Sequence, residues 1–341
     1  MKKLVIGVLW ALCAMAGGSL RAQDASGKVV VRLDPALDSI VSPDAKLEKL
    51  LDGKGTFEGP TWVHQGRTGF LIFSDIPGDV INKLEPDGTI SVFLGHIFTG
   101  TDPSTAPTGP NNATVPLVGS NGTTLDRQGR VVFCAYGNHT VERLEKDGTR
   151  TVLADRFEGK RFNTPNDLVV KSDGSIYFTD TQADRVHADN DPRQGLPFTG
   201  VYLIKDGKVQ SLAKDLVSPN GLAFAPGEKY LYVNESQKKR ITRFDVQTDD
   251  TIANPHVFID MTSDPAPGVP DGMKVDKKGN VYCTGPGGLW IMSPDGKHIG
   301  TILTPLRLTN LTFGGADGKT LYITSFAALY RIQLKAEGLR P

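Results

Sequence analysis

Three stretches of this 341-residue chain repeat one pattern. They read PNDLVVKSDGSIYFTD from Pro165, PNGLAFAPGEKYLYVNES from Pro219 and PDGMKVDKKGNVYCTG from Pro270. In each stretch a proline is followed by an amide or carboxylate residue, a short apolar run, a turn and a β-rich run. This repeat restricts the fold more than any other feature, because each copy must form the same supersecondary unit.

The repeat extends to six copies, and the residues that open them are separated by 39 to 63 positions. These opening residues are Glu58, Asn121, Asn166, Asn220, Asp271 and Asn310. Short alternating strands follow each opening, separated by turns such as Asp87-Gly88 that are typical of hairpins. Radial repeats of this length indicate a propeller. We therefore predict an all-β fold, a six-bladed β-propeller with four-stranded antiparallel blades around a central channel.

The copies follow one another without an internal linker. Residues 23–341 are therefore predicted to form a single domain, with about 40–335 as the propeller proper. The segment DAKLEKLLDG precedes the first opening and is predicted to supply the outer strand that closes the last blade. The stretch HIFTGTDPSTAPTGPNNATVPLVG is rich in Pro, Thr and Gly and predicts a long loop over one face.

The N-terminus has the composition of a secretory signal peptide. Lys2 and Lys3 precede an apolar run that is too short for a membrane span and ends in small residues. We predict a signal peptide at 1–22, and hence a periplasmic or secreted protein. Its removal takes three of the 38 basic residues and leaves 35 against 38 acidic ones. A net charge of −3 argues against binding to nucleic acid or to an anionic membrane.

The mature chain keeps two cysteines, Cys134 and Cys283, each inside a strand-like run. One pair is not a disulfide framework for a domain of this size. Both are predicted to be buried free thiols. The oligomeric state is left open.

In a propeller the innermost strand of each blade lines the channel, so residues in the same register converge on the axis. The six opening residues would then present only carboxylate and amide groups at one mouth. Such oxygen ligands suit Ca²⁺, or another divalent cation such as Mg²⁺ or Mn²⁺. The absence of His and Cys from the set argues against Zn²⁺ and Cu²⁺.

A simpler interpretation is that each Pro-Asn-Gly or Pro-Asp-Gly only forms a turn. Turn chemistry would explain the glycines, but not Glu58 or the Asp that follows Asn166. The sequence carries no G-x-S-x-G, H-E-x-x-H or phosphate-binding motif. Its histidines show no metal-ligand spacing, although His96 and His139 lie where a loop can reach the mouth.

From Thr56 to Leu334 the chain resembles the gluconolactonase / senescence marker protein / luciferin-regenerating enzyme family. The matching phrases are FEGPTW, GSNGTTLDRQGR, TPNDLVVKSDGSIYFTD, LPFTGVY, SPNGLAFAP, VPDGMKVDKKGNVYCTGPGGLW and TNLTFGGADGKTLYIT. The resemblance implies a six-bladed propeller with one catalytic divalent metal, usually calcium, in the channel. It also implies hydrolysis of a lactone, typically a sugar lactone.

The resemblance assigns the metal ligands to Glu58, Asn166, Asn220 and Asp271. It also makes Asp271 the candidate general base. Either this carboxylate or a hydroxide on the metal would activate the attack, and the sequence leaves both open.

Four further residues are predicted to contact the substrate. Asn121 and Asp167 are placed to bind its hydroxyl groups, Arg161 to bind an anionic group, and Tyr136 to stack on it. An exposed loop charge is an equally good interpretation of Arg161.

Two segments depart from the family pattern. Ala135-Tyr136 stands where bacterial gluconolactonases often have Glu-His, and Thr181 to Asp184 replaces a Pro-Pro-Tyr-Gly segment. The metal site is therefore predicted to be intact and the substrate wall altered.

The sequence thus predicts an exported metal-dependent hydrolase that opens a lactone to a hydroxy acid. Two alternatives stay open. One is hydrolysis of a non-lactone ester, or phosphotriester hydrolysis as a side activity, on the same metal. The other is a propeller that binds a carbohydrate or other ligand without catalysis, because fold alone does not select function.

Overall fold

The computed structural model describes residues 29–53, 55–66, 68–101, 108–109, 112–181 and 195–339. Its regular structure is almost entirely β, with six blades whose strands are antiparallel. The predicted six-bladed β-propeller is confirmed. No helix in these ranges is long and apolar enough to cross a membrane.

Blades 1 to 4 each consist of four strands in chain order, from the channel outward. Blade 1 contains β3 (Phe57–Gln65), β4 (Thr68–Asp75), β5 (Val80–Leu84) and β6 (Ile90–Gly95). Blade 2 contains β9 (Ser120–Leu125), β10 (Val131–Ala135), β11 (Thr140–Leu144) and β12 (Arg150–Ala154). Blade 3 contains β15 (Thr164–Val170), β16 (Ile176–Thr181), β17 (Gly200–Lys205) and β18 (Lys208–Ala213). Blade 4 contains β19 (Pro219–Phe224), β20 (Tyr230–Glu235), β21 (Arg240–Val246) and β22 (Ile252–Asp260).

The last two blades take strands from the N-terminal part of the chain. Blade 5 contains β23 (Met273–Val275), β24 (Val281–Gly285), β25 (Gly288–Met292) and β26 (His298–Leu303), with β1 (Val30–Arg32) as a fifth strand. Blade 6 contains β27 (Leu308–Gly314), β28 (Thr320–Ser325) and β29 (Ala328–Gln333), and β2 (Leu47–Asp52) is its outer strand. The predicted closing strand is therefore confirmed, because β2 pairs with β29.

Smaller elements lie outside the blades. A hairpin of β7 (Thr108–Gly109) and β8 (Asn112–Pro116) occupies part of the segment that was predicted to be a loop, and a second hairpin joins β13 (Arg156–Phe157) to β14 (Lys160–Arg161). Short 3₁₀ helices span Pro35–Ser39, Tyr136–Asn138 and Pro226–Glu228.

The apolar core lies between neighbouring blades. Between blades 2 and 3, for example, Phe162, Phe178 and Tyr202 pack with ring centroids 5.1–5.3 Å apart. Cys134 and Cys283 are buried in such clusters and are free thiols, as predicted. Packed blades hold the innermost strands in fixed positions, which is what a site on the axis requires.

Candidate metal site and active site

The residues that open the repeats lie at irregularities in the sheets. In blade 3, Pro165 pairs with Asp180, and the next pair along β15 and β16 is Leu168 with Phe178. Asn166 and Asp167 are thus left out of the ladder. Similar shifts follow Glu58, Pro219 and Leu308 in blades 1, 4 and 6. Proline has no N–H to donate and is tolerated at such bulges, and a bulge redirects the side chains beside it.

Hydrogen bonds between blades bring several of these side chains together. The Asn310 side-chain amide donates to Glu58 Oε2 at 3.1 Å and to Asp167 Oδ2 at 3.3 Å, which links blades 6, 1 and 3. The Asn220 amide is bonded to the carboxylate of Asp271. We refer to the six opening residues, Glu58, Asn121, Asn166, Asn220, Asp271 and Asn310, as the acceptor ring.

Glycines directly after ring residues allow this close approach. A Cβ on Gly272 would lie 2.1 Å from Asn310 Oδ1, and a Cβ on Gly59 would lie 2.2 Å from the Asn121 carbonyl oxygen. Gly122 and Gly221 are equally confined, with neighbouring oxygens at 2.6 and 2.3 Å. No real Cβ tolerates such distances. We call this set of close contacts between neighbouring innermost strands, at Gly59, Gly122, Gly221 and Gly272, the waist.

Negative charge is concentrated in the acceptor ring. Burial raises the pKa of Glu58 well above its usual range, and the charges of Asp271 and Asp167 raise it further against the opposing hydrogen bond from the Gly59 amide. Burial also raises the pKa of Asp271 to about 7, although the Arg307 guanidinium opposes this shift. A bound cation would favour the ionised form of both carboxyl groups.

The polar atoms around these carboxylates fit a hard divalent cation. Asn121 Oδ1 and Asn220 Oδ1 are buried, and neither accepts a hydrogen bond from the described residues. An unsatisfied buried carbonyl oxygen costs free energy unless a cation or water occupies it. Together with the carboxylates of Glu58 and Asp271, these oxygens are of the type that Ca²⁺ prefers. Asn166 is 6% exposed, and its role as a ligand stays a prediction.

A third carboxylate does not join this set. Asp167 is 1% exposed, and its oxygens accept from the Leu168 N–H at 2.9 Å and from Asn310. Accordingly, no three His, Cys, Asp or Glu side chains in the described part of the chain converge in metal-binding geometry. The contacts of Asp167 stabilise the acceptor ring, and its binding to substrate stays a prediction.

Comparison with known proteins places this arrangement in a family. The profile of the SMP-30/Gluconolactonase/LRE-like region matches residues 56–327, which is most of the chain. The chain belongs to this family. The predicted resemblance is therefore confirmed.

Individual relatives agree with the family profile. A gluconolactonase from Zymomonas mobilis is 31% identical over 336 residues, which covers 91% of this chain and 87% of the relative. The structure of a gluconolactonase from Xanthomonas campestris is 32% identical with a TM-score of 0.74, covering 89% of this chain and 94% of the other. A calcium-binding regucalcin from Agrobacterium tumefaciens has the same fold, with a TM-score of 0.67 at 18% identity over 87% of this chain and 97% of its own.

In this gluconolactonase-family propeller, Tyr136 lies in the wall beside the acceptor ring. It begins the short 3₁₀ helix after β10, is 5% exposed and shares a hydrogen bond with Thr164. Burial raises its pKa, and the charges of Asp271 and Asp180 add to the shift, so the phenol stays neutral near the carboxylates. Within the second altered segment, Thr181 is buried at the end of β16, and positions 182–184 lie outside the described residues.

Arg161 lies on the small hairpin above blade 3. Its charge acts on His139 and on Asp180, and it is half-buried. His139 contacts the Asn163 carbonyl oxygen through Nδ1, and burial, with the charge of Arg161, lowers its pKa to about 4. His139 is therefore neutral at physiological pH, and the binding of an anionic group by Arg161 stays a prediction.

Two charged residues near the site were missed in the sequence. Arg307 Nη2 lies 3.8 Å from Asp271 Oδ2, and the guanidinium carbon lies 5.0 Å from the Phe326 ring centroid. Asp180 is fully buried and accepts from the backbone N–H groups of Asn163 and Thr164 at 3.0 and 2.7 Å. The position of Arg307 just before the Asn310 opening was the available signal, since that segment enters at the same mouth.

Proposed function

We propose that this protein is a metal-dependent hydrolase that opens a lactone of the sugar-lactone type to a hydroxy acid. The observation that carries the proposal is the acceptor ring, in which two unsatisfied amide oxygens stand beside two buried carboxylates. The similarity to gluconolactonases from two bacteria supports the substrate class. The reaction partner is a small molecule.

The cation would be held by Glu58, Asn166, Asn220 and Asp271. Their carboxylate and amide oxygens are ligands that suit Ca²⁺, Mg²⁺ or Mn²⁺. When bound, the cation polarises the lactone carbonyl and stabilises the negative charge that develops on its oxygen. Asn121 lies in the same register, and its buried Oδ1 has no hydrogen-bond partner among the described residues, which supports a contact with the substrate.

Asp271 is the residue best placed to take a proton from the attacking water. It is 8% exposed, whereas Glu58 is 5% and Asp167 is 1% exposed. The carboxylate of Glu58 also accepts from the Gly59 N–H at 2.8 Å and from Asn310. The water oxygen bonds to the carbonyl carbon as Asp271 takes its proton, and the ring C–O bond then breaks. The proton passes from Asp271 to the departing alkoxide, which gives the hydroxy acid.

The test is turnover of a lactone panel by the purified protein, before and after treatment with a chelator. We expect turnover that chelation abolishes and Ca²⁺ restores, and a loss of about 10²-fold or more in kcat for Asp271→Asn. Asp147→Asn, on an exposed turn, is the matched control. Turnover that is unchanged by chelation, or equal in Asp271→Asn and the control, would refute the assignment. Calcium binding without turnover of any lactone or ester would favour a binding propeller.

Export is also a proposal, which is supported by the sequence of residues 1–22. We expect the mature chain to begin after Ala22 and to be found in the periplasm or the medium. Mass spectrometry of the protein from cell fractions tests this. An intact N-terminus in a cytoplasmic fraction would contradict it.

A further inference from the structure

A cavity of about 450 Å³ lies in the central channel. It begins two or three residues beyond the acceptor ring on each innermost strand and extends to the turns after β15 and β19, at Ser172 and Pro226. Ring residues open these strands, so the cavity belongs to the opposite mouth. Cavities of this size bind small organic molecules in other proteins.

The waist lies between the acceptor ring and the cavity along the innermost strands. At Gly59, Gly122, Gly221 and Gly272 each innermost strand approaches its neighbour so closely that no side-chain atom fits between the two strands. No residue of the acceptor ring lines the cavity. We call the space beside the acceptor ring the upper chamber and the cavity the lower chamber.

The wall of the lower chamber is mainly apolar. Its apolar side chains come from several blades and include Leu168, Leu222, Phe224, Val275 and Phe313. The threonine hydroxyls of the wall are partly bonded to protein atoms, because Thr61 donates to the Thr123 carbonyl oxygen at 2.8 Å and Thr123 donates to the Gly59 carbonyl oxygen at 2.5 Å. An apolar molecule would displace water from this surface at a gain in free energy.

One cation in this wall lacks a carboxylate partner. Lys274 Nζ donates to the Met273 carbonyl oxygen at 3.1 Å, and no acidic residue in the described ranges forms an ion pair with it. The one acid in the lining, Glu228, already accepts from Ser172 through its backbone N–H at 2.7 Å and its hydroxyl at 2.5 Å. An ammonium group carries three N–H donors, so Lys274 keeps donors for a ligand.

We propose that the lower chamber binds a small amphipathic carboxylate, with its carboxylate on Lys274 and its alkyl chain against the apolar wall. The positive charge of Lys274 favours an anionic ligand. The apolar wall favours an alkyl chain over a sugar. The volume equals that of roughly 15 water molecules, which admits a medium-chain acid. This site is independent of the lactone reaction.

Titration calorimetry of the full-length mature protein with octanoate and decanoate tests the proposal. We expect saturable binding that tightens by about fourfold for each added methylene. Lys274→Met should weaken it about tenfold or more, because it removes a charged hydrogen bond. Lys278→Met, an exposed lysine four positions further on, is the matched control. Circular dichroism of both variants verifies folding.

A charge reversal keeps the proposal falsifiable if Lys274→Met is unstable. Lys274→Glu should lose decanoate binding and gain binding of decylamine. Absence of saturable decanoate binding to the wild type would overturn the proposal. So would equal losses in Lys274→Met and Lys278→Met, or loss of binding in Asp271→Asn with Lys274 intact, which would place the ligand in the upper chamber. Lactone turnover is measured separately, so its failure is distinguishable from failure of this site.

Discussion

Replacing Gly272 by alanine tests whether the waist positions the acceptor ring. The added Cβ would lie 2.1 Å from Asn310 Oδ1, 2.2 Å from its Cγ and 2.5 Å from its Cα. Because a backbone atom is among these neighbours, a rotation of the Asn310 side chain does not remove the clash. The strand β27 must move away from blade 5, or the Asn310 side chain must leave its place together with its backbone.

The loss of stability expected for Gly272→Ala follows from the packing and the hydrogen bonds of Asn310. Overpacking in a tight interior costs about 1–3 kcal/mol of the free energy of unfolding. Asn310 also donates to the carboxylates of Glu58 and Asp167, and hydrogen bonds to charged groups contribute about 1.5–3 kcal/mol each. We therefore expect Gly272→Ala to lose about 2–5 kcal/mol of stability. A displacement of about 1 Å at the carboxylates would lower kcat by about 10²-fold.

Urea denaturation and Ca²⁺ titration measure these effects, with Gly95→Ala as the control. Gly95 has its nearest non-neighbouring atom, Val92 Cγ1, at 3.6 Å, which is ordinary contact for a new methyl group. Gly272→Ala should be less stable and bind Ca²⁺ more weakly, while Gly95→Ala should resemble the wild type. If Gly272→Ala kept both the stability and the calcium affinity of the wild type, the waist would have no role in positioning the ring.

Three further predictions concern charge and substrate. Arg307→Gln should move the acid limb of the pH profile of kcat/KM to higher pH, because the guanidinium lowers the pKa of Asp271, whereas Arg307→Lys should move it less. Burial raises the pKa of Asp180 to about 7 in the folded protein, compared with about 4 in the unfolded chain. The protonated carboxyl therefore stabilises the folded state at pH 4, and this stabilisation is lost as the pH rises through 7. Urea denaturation should show the wild type losing about 4 kcal/mol relative to Asp180→Asn between pH 4 and 8, and a constant difference would contradict the shift. The double change Ala135→Glu with Tyr136→His should raise kcat/KM for gluconolactone relative to aromatic or longer-chain lactones, and an unchanged ratio would show that these positions do not set preference.

Most of the fold could be predicted because the repeat and its turns are local signals. Asp-Gly turns marked the hairpins, and the segment DAKLEKLLDG before the first opening indicated the closing strand Leu47–Asp52. Two elements carried too little signal. The strand Val30–Arg32 has only three residues, which is too short to show a period, and it is stabilised by pairing with β26. The strand Asn112–Pro116 lies in a stretch whose prolines and glycines indicate a loop.

The acceptor ring could be predicted because register fixes it. Residues at the same point of each repeat must meet on the axis, and Asn310 contacts both Glu58 and Asp167 across the channel. Arg307 and Asp180 could not be predicted in the same way. One comes from a connecting segment and the other from a second strand, so their distance from the ring depends on packing between blades and not on the repeat.

The role of a glycine in this repeat cannot be read from its dipeptide alone. This chain uses Asp-Gly in two physically different ways. Gly88 and Gly148 have φ of 90° and 85°, and a Cβ added to either would have no atom within 4 Å, so they serve the positive φ of a turn. Gly272 has no such φ, yet its Cβ position lies 2.1 Å from Asn310 Oδ1. The preceding proline does not distinguish the two uses, because Pro86 precedes Asp87-Gly88 just as Pro270 precedes Asp271-Gly272. The position in the repeat distinguishes them. Pro86-Asp87-Gly88 lies between the outer strands β5 and β6 and forms a turn, whereas Pro270-Asp271-Gly272 precedes the innermost strand β23 and contacts the next blade. A Pro-Asp-Gly or Pro-Asn-Gly that precedes an innermost strand therefore indicates contact between blades, with the acidic or amide side chain directed at the site.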